Sequence, residues 1–525
     1  MDARRDNRHD LGSSGTLVLL TPDRIGSRMA GPALRMIGLA RALSNHPDLS
    51  PSPRIKIFST QDLESPWSGP PAAAFESAHI EGLKSAHLGR LDLAHAEDDR
   101  ALAPILESLS PTDGVLVQGM LLERFPSLTR TRARVIVDLY DPIVFEAPFT
   151  NGGRCRDARA YTQNRILSET ARQLAHGDFF LVHSERQRDF LLGLLVGLGG
   201  LDAETIATGR PGDLFGIVPN GIEEGTGGER GSGKGPDRGF WDAKSGIGTQ
   251  DPIIFWGGGL WDWLDPLRLL DATHLLKSSD SRLHVVLPGI GSPNPEVPAP
   301  ENLEKVRNWI DRHEAHSWVH LIEWLPLEQW TSALKACDLV VTLAGDTYEN
   351  HLAFRSRIGD FIAAGVPFLV SGGDATAERT RQWPLAEIAR TGSVDELARQ
   401  IERLLETSTH TAPQHSHGDS APPDSVCDPS TERPVLDLQI PDAWTWNATT
   451  RDLVRFWVSG RKRERLTPLL DLDLVGHYWN RNRPWSSRIL RAAGIYSRKG
   501  FAALMDRVIS RFSRPGHETG GTESG

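Results

Sequence analysis

Short runs of β-branched and aliphatic residues alternate along the chain with longer segments in which apolar positions recur every three or four residues. Wholly apolar runs separated by amphipathic helices are the pattern of a parallel sheet covered on both faces, because each strand is then buried on two sides. Two such series are present. The first predicts strands at 16–20, 54–58, 114–118, 135–139, 178–183 and 215–218, with helices near 33–43, 100–109, 157–176 and 184–196. Met36, Leu39, Ala40 and Leu43 follow the i, i+3, i+4, i+7 spacing that lays one helical stripe on a sheet. The second predicts strands at 252–256, 284–287, 319–322, 338–344 and 366–371. Its last helix opens on Ser393 with Glu396 three positions on, a capping box in which each side chain satisfies the other's free backbone N–H, and Leu397, Ile401, Leu404 and Leu405 supply its buried stripe.

The expected fold class is therefore α/β, with two Rossmann-like domains. Residues 15–222 form the first and 251–406 the second. Between them, 223–250 carries a Gly-rich charged stretch that offers nothing to bury, which predicts a flexible linker. Its Gly231, Gly233 and Lys234 lack the spacing, the preceding strand and the following Ser or Thr of a phosphate loop. Residues 407–434 are rich in Ser, Thr, Pro, His and Asp and predict a disordered insertion. Order is expected to resume near Val435, and 435–525 is expected to hold a return helix near 451–460 and a basic amphipathic tail.

Composition narrows the function classes. A chain of 525 residues with 39% hydrophobic and 24% charged side chains can bury a large core, which excludes a single small module and whole-chain disorder. Its 58 Lys and Arg against 68 Asp and Glu give −10, which removes the broad basic footprint of a nucleic-acid binder. Three widely spaced cysteines support neither a disulfide framework nor a Cys-rich zinc site, and a polar start without a following apolar core shows no secretory signal; both point to the cytoplasm. The acidic average hides one asymmetry. From Arg451 to Phe512 there are 14 basic against 5 acidic side chains. Within it Phe501, Leu504, Met505, Val508, Ile509 and Phe512 make an apolar stripe beside Arg498, Lys499, Arg507 and Arg511. A peripheral membrane contact through 498–512 is one reading of that stripe, and a helix docked on its own protein is the other.

Three segments carry candidate chemistry. The loop after the first strand contains Gly26 and Gly31 and opens a helix whose free N–H groups suit an anion. In the second domain the strand ending at Trp256 runs into Gly257, Gly258 and Gly259, where the backbone can approach a diphosphate, with Trp261 and Trp263 as a wall. The densest polar stretch runs from Tyr348 to Ser371. Its Arg355 and Arg357 offer planar forks for phosphate oxygens, and Asp360 a carboxylate for a ribose diol; a structural salt-bridge cluster is the alternative. On the first domain Asp138, Asp141 and His183 stand at strand ends, placed to position a hydroxyl or to pair locally. Asp471-Leu-Asp473 lacks the preceding strand of a metal-binding Asp-x-Asp, and His410, His415 and His417 fall in the polar insertion, so no metal site is expected.

Taken in order, Met29-Ala-Gly-Pro-Ala-Leu-Arg with Gly38-Leu-Ala-Arg-Ala-Leu, Ile217-Val-Pro-Asn-Gly-Ile, the Gly257–Gly259 turn and Asp360-Phe-Ile-Ala-Ala-Gly-Val-Pro resemble a GT-B glycosyltransferase, specifically family 4. The likeness spans roughly 15–406 plus the return helix. It implies GT-B architecture, with two domains facing across a cleft. It also implies a nucleotide-sugar donor in the second domain, an acceptor in the first, and transfer with retention of anomeric configuration without a required cofactor or metal. It places Gly258, Gly259, Trp261, Arg355, Arg357 and Asp360 at the donor, Glu349 and Asp360 as catalytic carboxylates, and Gly31, Asp138, Asp141 and His183 on the acceptor side. The pattern departs in two places. Leu352 stands where the family often has a second Glu, with Glu349 the candidate to replace it. Gly259 and Leu264 stand where the family commonly has Arg and Lys for the diphosphate, which gives that role to Arg355 and Arg357. The expected activity is sugar transfer from a nucleotide sugar to a glycan, lipid-linked or small-molecule acceptor. The alternatives are a nucleotide-sugar epimerase of the same fold and a non-catalytic sugar-nucleotide-binding partner.

Overall fold

The computed structural model describes residues 15–26, 28–61, 92–150, 156–201, 203–207, 210–223, 239–278, 280–295, 297–389, 392–409, 438–460 and 462–463. Seven strands form the first sheet: β1 (Thr16–Thr21), β2 (Arg54–Ser59), β3 (Asp92–His95), β4 (Gly114–Gln118), β5 (Arg134–Asp138), β6 (Phe179–Val182) and β7 (Phe215–Ile217). Six form the second: β8 (Ile253–Trp256), β9 (His284–Ile290), β10 (Val319–Glu323), β11 (Leu339–Thr342), β12 (Phe368–Ser371) and β13 (Ala386–Ala389). Their orders are β3-β2-β1-β4-β5-β6-β7 and β10-β9-β8-β11-β12-β13. The pairings are parallel, with Leu17 opposite both Ile55 and Gly114, for example. The central strands β1, β4, β5, β8 and β11 are almost wholly buried, which is why they read as unbroken apolar runs.

In each sheet the chain winds outward from one central strand, returns, and winds the other way, so the order reverses between β1 and β4 and between β8 and β11. Crevices form at such reversals beyond the strands' C-terminal ends. The two reversals face one another across a cleft, which is the GT-B architecture the resemblance implies.

Two strands escaped the sequence pattern. β3 and β13 are four-residue edge strands, Asp-Leu-Ala-His and Ala-Glu-Ile-Ala, and each holds a single large apolar residue. The expected linker 223–250 is also corrected. It contains the helix Gly239–Ser245, whose Trp241 is fully buried and donates through Nε1 to the Ala333 carbonyl at 3.3 Å. Bulk apolar side chains after Arg238 thus anchor that part of the segment in the second core, while 224–238 lies outside the described residues. The last helix of the second domain runs Val394–Thr409, three residues past the expected boundary, and most of the polar insertion lies outside the described residues.

The return helix is present as Arg451–Ser459, and it carries the chain back onto the first domain. Trp446 ahead of it fits only because two glycines face it: a Cβ on Gly38 would come within 2.1 Å of its ring and one on Gly221 within 2.4 Å of its Cα. Phe456 stacks on Phe179 at 4.4 Å. Arg134 donates to the carbonyls of Phe456, Trp457 and Gly460, which ties the helix C-terminus to the first domain. The tail stripe at 498–512, Asp471, Asp473, His410, His415 and His417 lie outside the described residues. Among the described residues no helix is long and apolar enough to cross a membrane.

Candidate active site in the interdomain cleft

The cleft has a volume of about 390 Å³ and draws its lining from the strand-end loops of both domains. On the second domain, the turn after β8 explains its own glycines in different ways. A Cβ on Gly257 would lie 2.5 Å from the Phe361 ring and from Thr342 Oγ1, and one on Gly259 would lie 2.9 Å from the Trp261 indole, so packing requires both. Gly258 is different: a Cβ there would meet only Leu264, at 3.8 Å. Its backbone faces open cleft. Trp261 lines the cleft and stacks on Trp263, with ring centres 5.4 Å apart and planes within 5°. Trp324, from the loop after β10, completes this wall and donates through Nε1 to the Met29 carbonyl of the first domain at 3.3 Å.

Arg355 and Arg357 both line the cleft, and both are engaged. Arg355 makes a two-pronged pair with Glu349, Nη1–Oε1 at 2.7 Å and Nη2–Oε2 at 3.0 Å, donates to Asn350 Oδ1 at 3.1 Å and stands 3.7 Å from Asp374. Such forked pairing is the strong geometry for a guanidinium. Arg357 pairs with Asp360 at 3.0 Å, lies over the Trp330 ring at 4.4 Å and reaches the Met29 carbonyl at 3.4 Å. Burial pushes the Asp374 carboxyl up to about 6, with the Arg355 guanidinium pulling the other way. Neither Glu349, which is buried beneath Arg355, nor Asp360 lines the cleft; each carboxylate holds an arginine that does.

On the first domain Gly31 and Pro32 line the cleft and open the helix Gly31–Asn45, whose N-cap Ala30 supplies no side-chain acceptor. Asp23 also lines it and accepts from Asn294 Nδ2 of the second domain at 2.9 Å. Asp138 is not brought to the cleft. It is gripped by Arg35, Nε–Oδ2 at 2.8 Å and Nη2–Oδ1 at 2.9 Å, with both side chains fully inaccessible. Gln118 also donates to it, and the remaining Arg35 nitrogen, Nη1, goes on to Val218 O and Asn220 Oδ1. His183 lies behind the lining, edge-on to Tyr140 at 5.1 Å and against Phe354 at 4.9 Å. Burial, with Arg35 adding to it, holds its imidazole well below the usual range, so it is neutral at physiological pH.

Asp141 and Glu146 do line the cleft. Asp141 is open to water inside the cleft yet crowded by protein, and burial of that kind pushes its carboxyl up to about 7, with Asp138 adding to the shift. Glu146, in the first turn of the helix Ile143–Thr150, is raised well above its usual range by burial and then by its carboxylate neighbours Asp141 and Glu349.

Sequence reasoning missed Arg35, Asn294, Trp324 and Glu146. Arg35 ends the Met29-Ala-Gly-Pro-Ala-Leu-Arg motif, and an arginine on the apolar stripe of a core helix was the available signal. Glu146 follows Asp141 by five residues in the same strand-end segment. Asn294 and Trp324 sit in loops that carry no local pattern. The domains also meet at the far edge, where Phe145 stacks on Tyr348 at 5.6 Å and Arg186 pairs with Glu378 and donates to Gly373 O at 2.7 Å.

No family model and no curated protein matches this chain. Solved structures to which it is similar include Anabaena HepE in complex with UDP and glucose, at 13% identity and TM-score 0.49 over 76% of this chain and 91% of that one. WaaG, a glycosyltransferase involved in lipopolysaccharide biosynthesis, is similar at 13% identity and TM-score 0.48 over 75% and 91%. Sucrose-phosphate synthase from Thermosynechococcus elongatus is similar at 11% identity and TM-score 0.47 over 75% and 90%.

Proposed function

We propose that the chain is a retaining glycosyltransferase of the family 4 type, taking a sugar from a nucleotide sugar and passing it to an acceptor bound on the first domain, without a required metal. The observation that carries this reading is the open space beside Gly258 at the end of β8, in a cleft at two strand-order reversals whose other wall includes Gly31 and Pro32 at the start of helix Gly31–Asn45. Backbone N–H groups and a helix N-terminus suit a diphosphate, and Trp261 offers a stacking face to the base or sugar. Arg355, Arg357 and Asp360 serve this donor side, the two guanidinium groups stabilising the departing nucleoside diphosphate from positions fixed by Glu349 and Asp360. Gly31, Asp138, Asp141 and His183 serve the acceptor side. Of these, Asp141 and Gly31 face the acceptor, while Asp138 and His183 act through Arg35 and Tyr140.

A second reading, a binding protein that holds a sugar nucleotide without transferring it, draws on one specific observation: both cleft arginines already have carboxylate partners. The two readings part in one experiment. UDP, GDP, ADP and dTDP, each alone and as sugar conjugates, are screened by thermal shift and then for release of nucleoside diphosphate. One base should stabilise the fold, by about 2.7 kcal/mol at a hundredfold excess over Kd. Gly258→Val should leave the unliganded Tm in place and remove the shift. Release of the diphosphate supports transfer; binding without release for every sugar supports the second reading. If no nucleotide shifts Tm, or if Gly258→Val keeps the shift, both readings fall.

A further inference from the structure

Most buried carboxylates around the cleft have a charged or polar partner among the described residues. Asp138 has Arg35, Glu349 has Arg355, Asp374 has Arg355 and the Ala377 N–H, and Asp23 has Asn294 on Oδ1, its Oδ2 having none. Glu146 is only 8% exposed, and among the described residues it accepts no hydrogen bond and forms no ion pair. Asp141, which lines the same wall, is open to the cleft and likewise lacks an ion pair among the described residues. A buried carboxyl without a partner is costly and uncommon, and the helix N-terminus beside Glu146 offsets only part of that cost. The charged groups near the pair are Asp138 and Arg35 behind Asp141, and Glu349 and Arg355 facing Glu146. Both cations are already forked onto other carboxylates.

We propose that Asp141 and Glu146 form a subsite for a positively charged amino group of the acceptor, so that the sugar is passed to an amino-bearing hydroxyl compound. This rests on the glycosyltransfer reading above and specifies its acceptor. An ammonium supplies both the missing positive charge and up to three hydrogen-bond donors, whereas a neutral hydroxyl supplies a donor alone. A cation placed here also complements the anionic diphosphate expected on the opposite wall, where a bare pair of carboxylates would repel it.

The test uses the full chain at about pH 8, where free carboxyl groups are ionised, with 2-deoxystreptamine as the cationic probe, myo-inositol as its neutral counterpart and magnesium chloride as a metal control. Calorimetry should show 2-deoxystreptamine binding at least about tenfold more tightly than myo-inositol, a difference of about 1.4 kcal/mol. Glu146→Gln, which keeps shape and removes charge, should cut that preference below about threefold, as should Asp141→Asn if the first variant does not fold. Equal affinity for the two cyclitols, a preference that survives Glu146→Gln, or Mg²⁺ stabilising the chain as much as the amine overturns the proposal. Nucleotide binding without amine preference sinks the acceptor assignment and leaves glycosyltransfer standing. Amine preference without any nucleotide binding does the reverse.

Discussion

The two walls of the cleft are built from similar residues and use them differently. On the second domain each cleft-lining guanidinium is matched: Arg355 to Glu349 and Asp374, Arg357 to Asp360 and the face of Trp330. On the first domain the matched pair, Arg35 with Asp138, lies behind the wall; of the carboxyls that reach the cleft, Asp23 is held by Asn294, while Asp141 and Glu146 form no ion pair among the described residues. Pairing fixes the position of a group at the expense of its availability. The second wall is therefore a preformed surface on which a ligand meets backbone and aromatic rings, and the first is one whose electrostatics a ligand completes. If that distinction holds, removing a partner should harm the matched pairs, and neutralising an unmatched carboxyl should help the unliganded fold.

The largest effect is expected behind the first wall. Arg35→Met would strand Asp138 in a fully buried position, and urea denaturation should show a loss of about 3–5 kcal/mol. Adding Asp138→Leu should restore most of it, because two well-packed apolar groups need no partner. Arg355→Met should cost somewhat less, about 3 kcal/mol, since the pair retains some solvent contact. Arg357→Ala should cost about 1 kcal/mol through the lost contacts with Trp330 and Met29, because Asp360 is left largely in water. Glu146→Gln should have the opposite sign and stabilise the unliganded protein by about 1 kcal/mol. A destabilised Glu146→Gln would mean that this carboxyl has a structural partner, and the contrast between the walls would collapse.

The sequence carried the sheets better than the cleft. Strands buried on two faces announce themselves as apolar runs, so β1, β4, β5, β8 and β11 were legible, while β3 and β13, each with a single large apolar residue, were not. The return of the chain at Arg451–Ser459 was expected from the family resemblance and not from local periodicity. Which glycine of Gly257–Gly259 faces the cleft was not, because Phe361, Thr342 and Trp261 decide it from distant positions. The site residues divide in the same way. Residue type and place in the motif order pointed to Arg355, Arg357 and Asp141, but whether a charge is free depends on partners such as Arg35 with Asp138, 103 residues apart. Spacing along the chain holds no record of such pairs.

The smallest effect concerns pH, and it separates the walls by titration range. Asp141 has a folded-state value of about 7 against 3.8 for the free side chain, so the native state holds its proton more tightly than the unfolded one. Its contribution to stability is therefore fully present below about pH 4 and is lost as pH rises through about 7. Asp374 has the same sign but a value of about 6, so its contribution is lost earlier on the same rise. Urea midpoints measured across this range should decline with rising pH in the wild type. Asp141→Asn should flatten the decline from about pH 4 up to about 8 and is the variant that acts above about pH 7, whereas Asp374→Asn should flatten only the lower part, below about pH 7. Because Asp141 is open to water inside the cleft, the flattening should be modest, and it should shrink further at high salt if repulsion from Asp138 and Glu349 contributes to it. An unchanged slope above pH 6 in Asp141→Asn would show that this carboxyl is ionised like any surface aspartate, and the first wall would lose the unmatched charge that distinguishes it from the second.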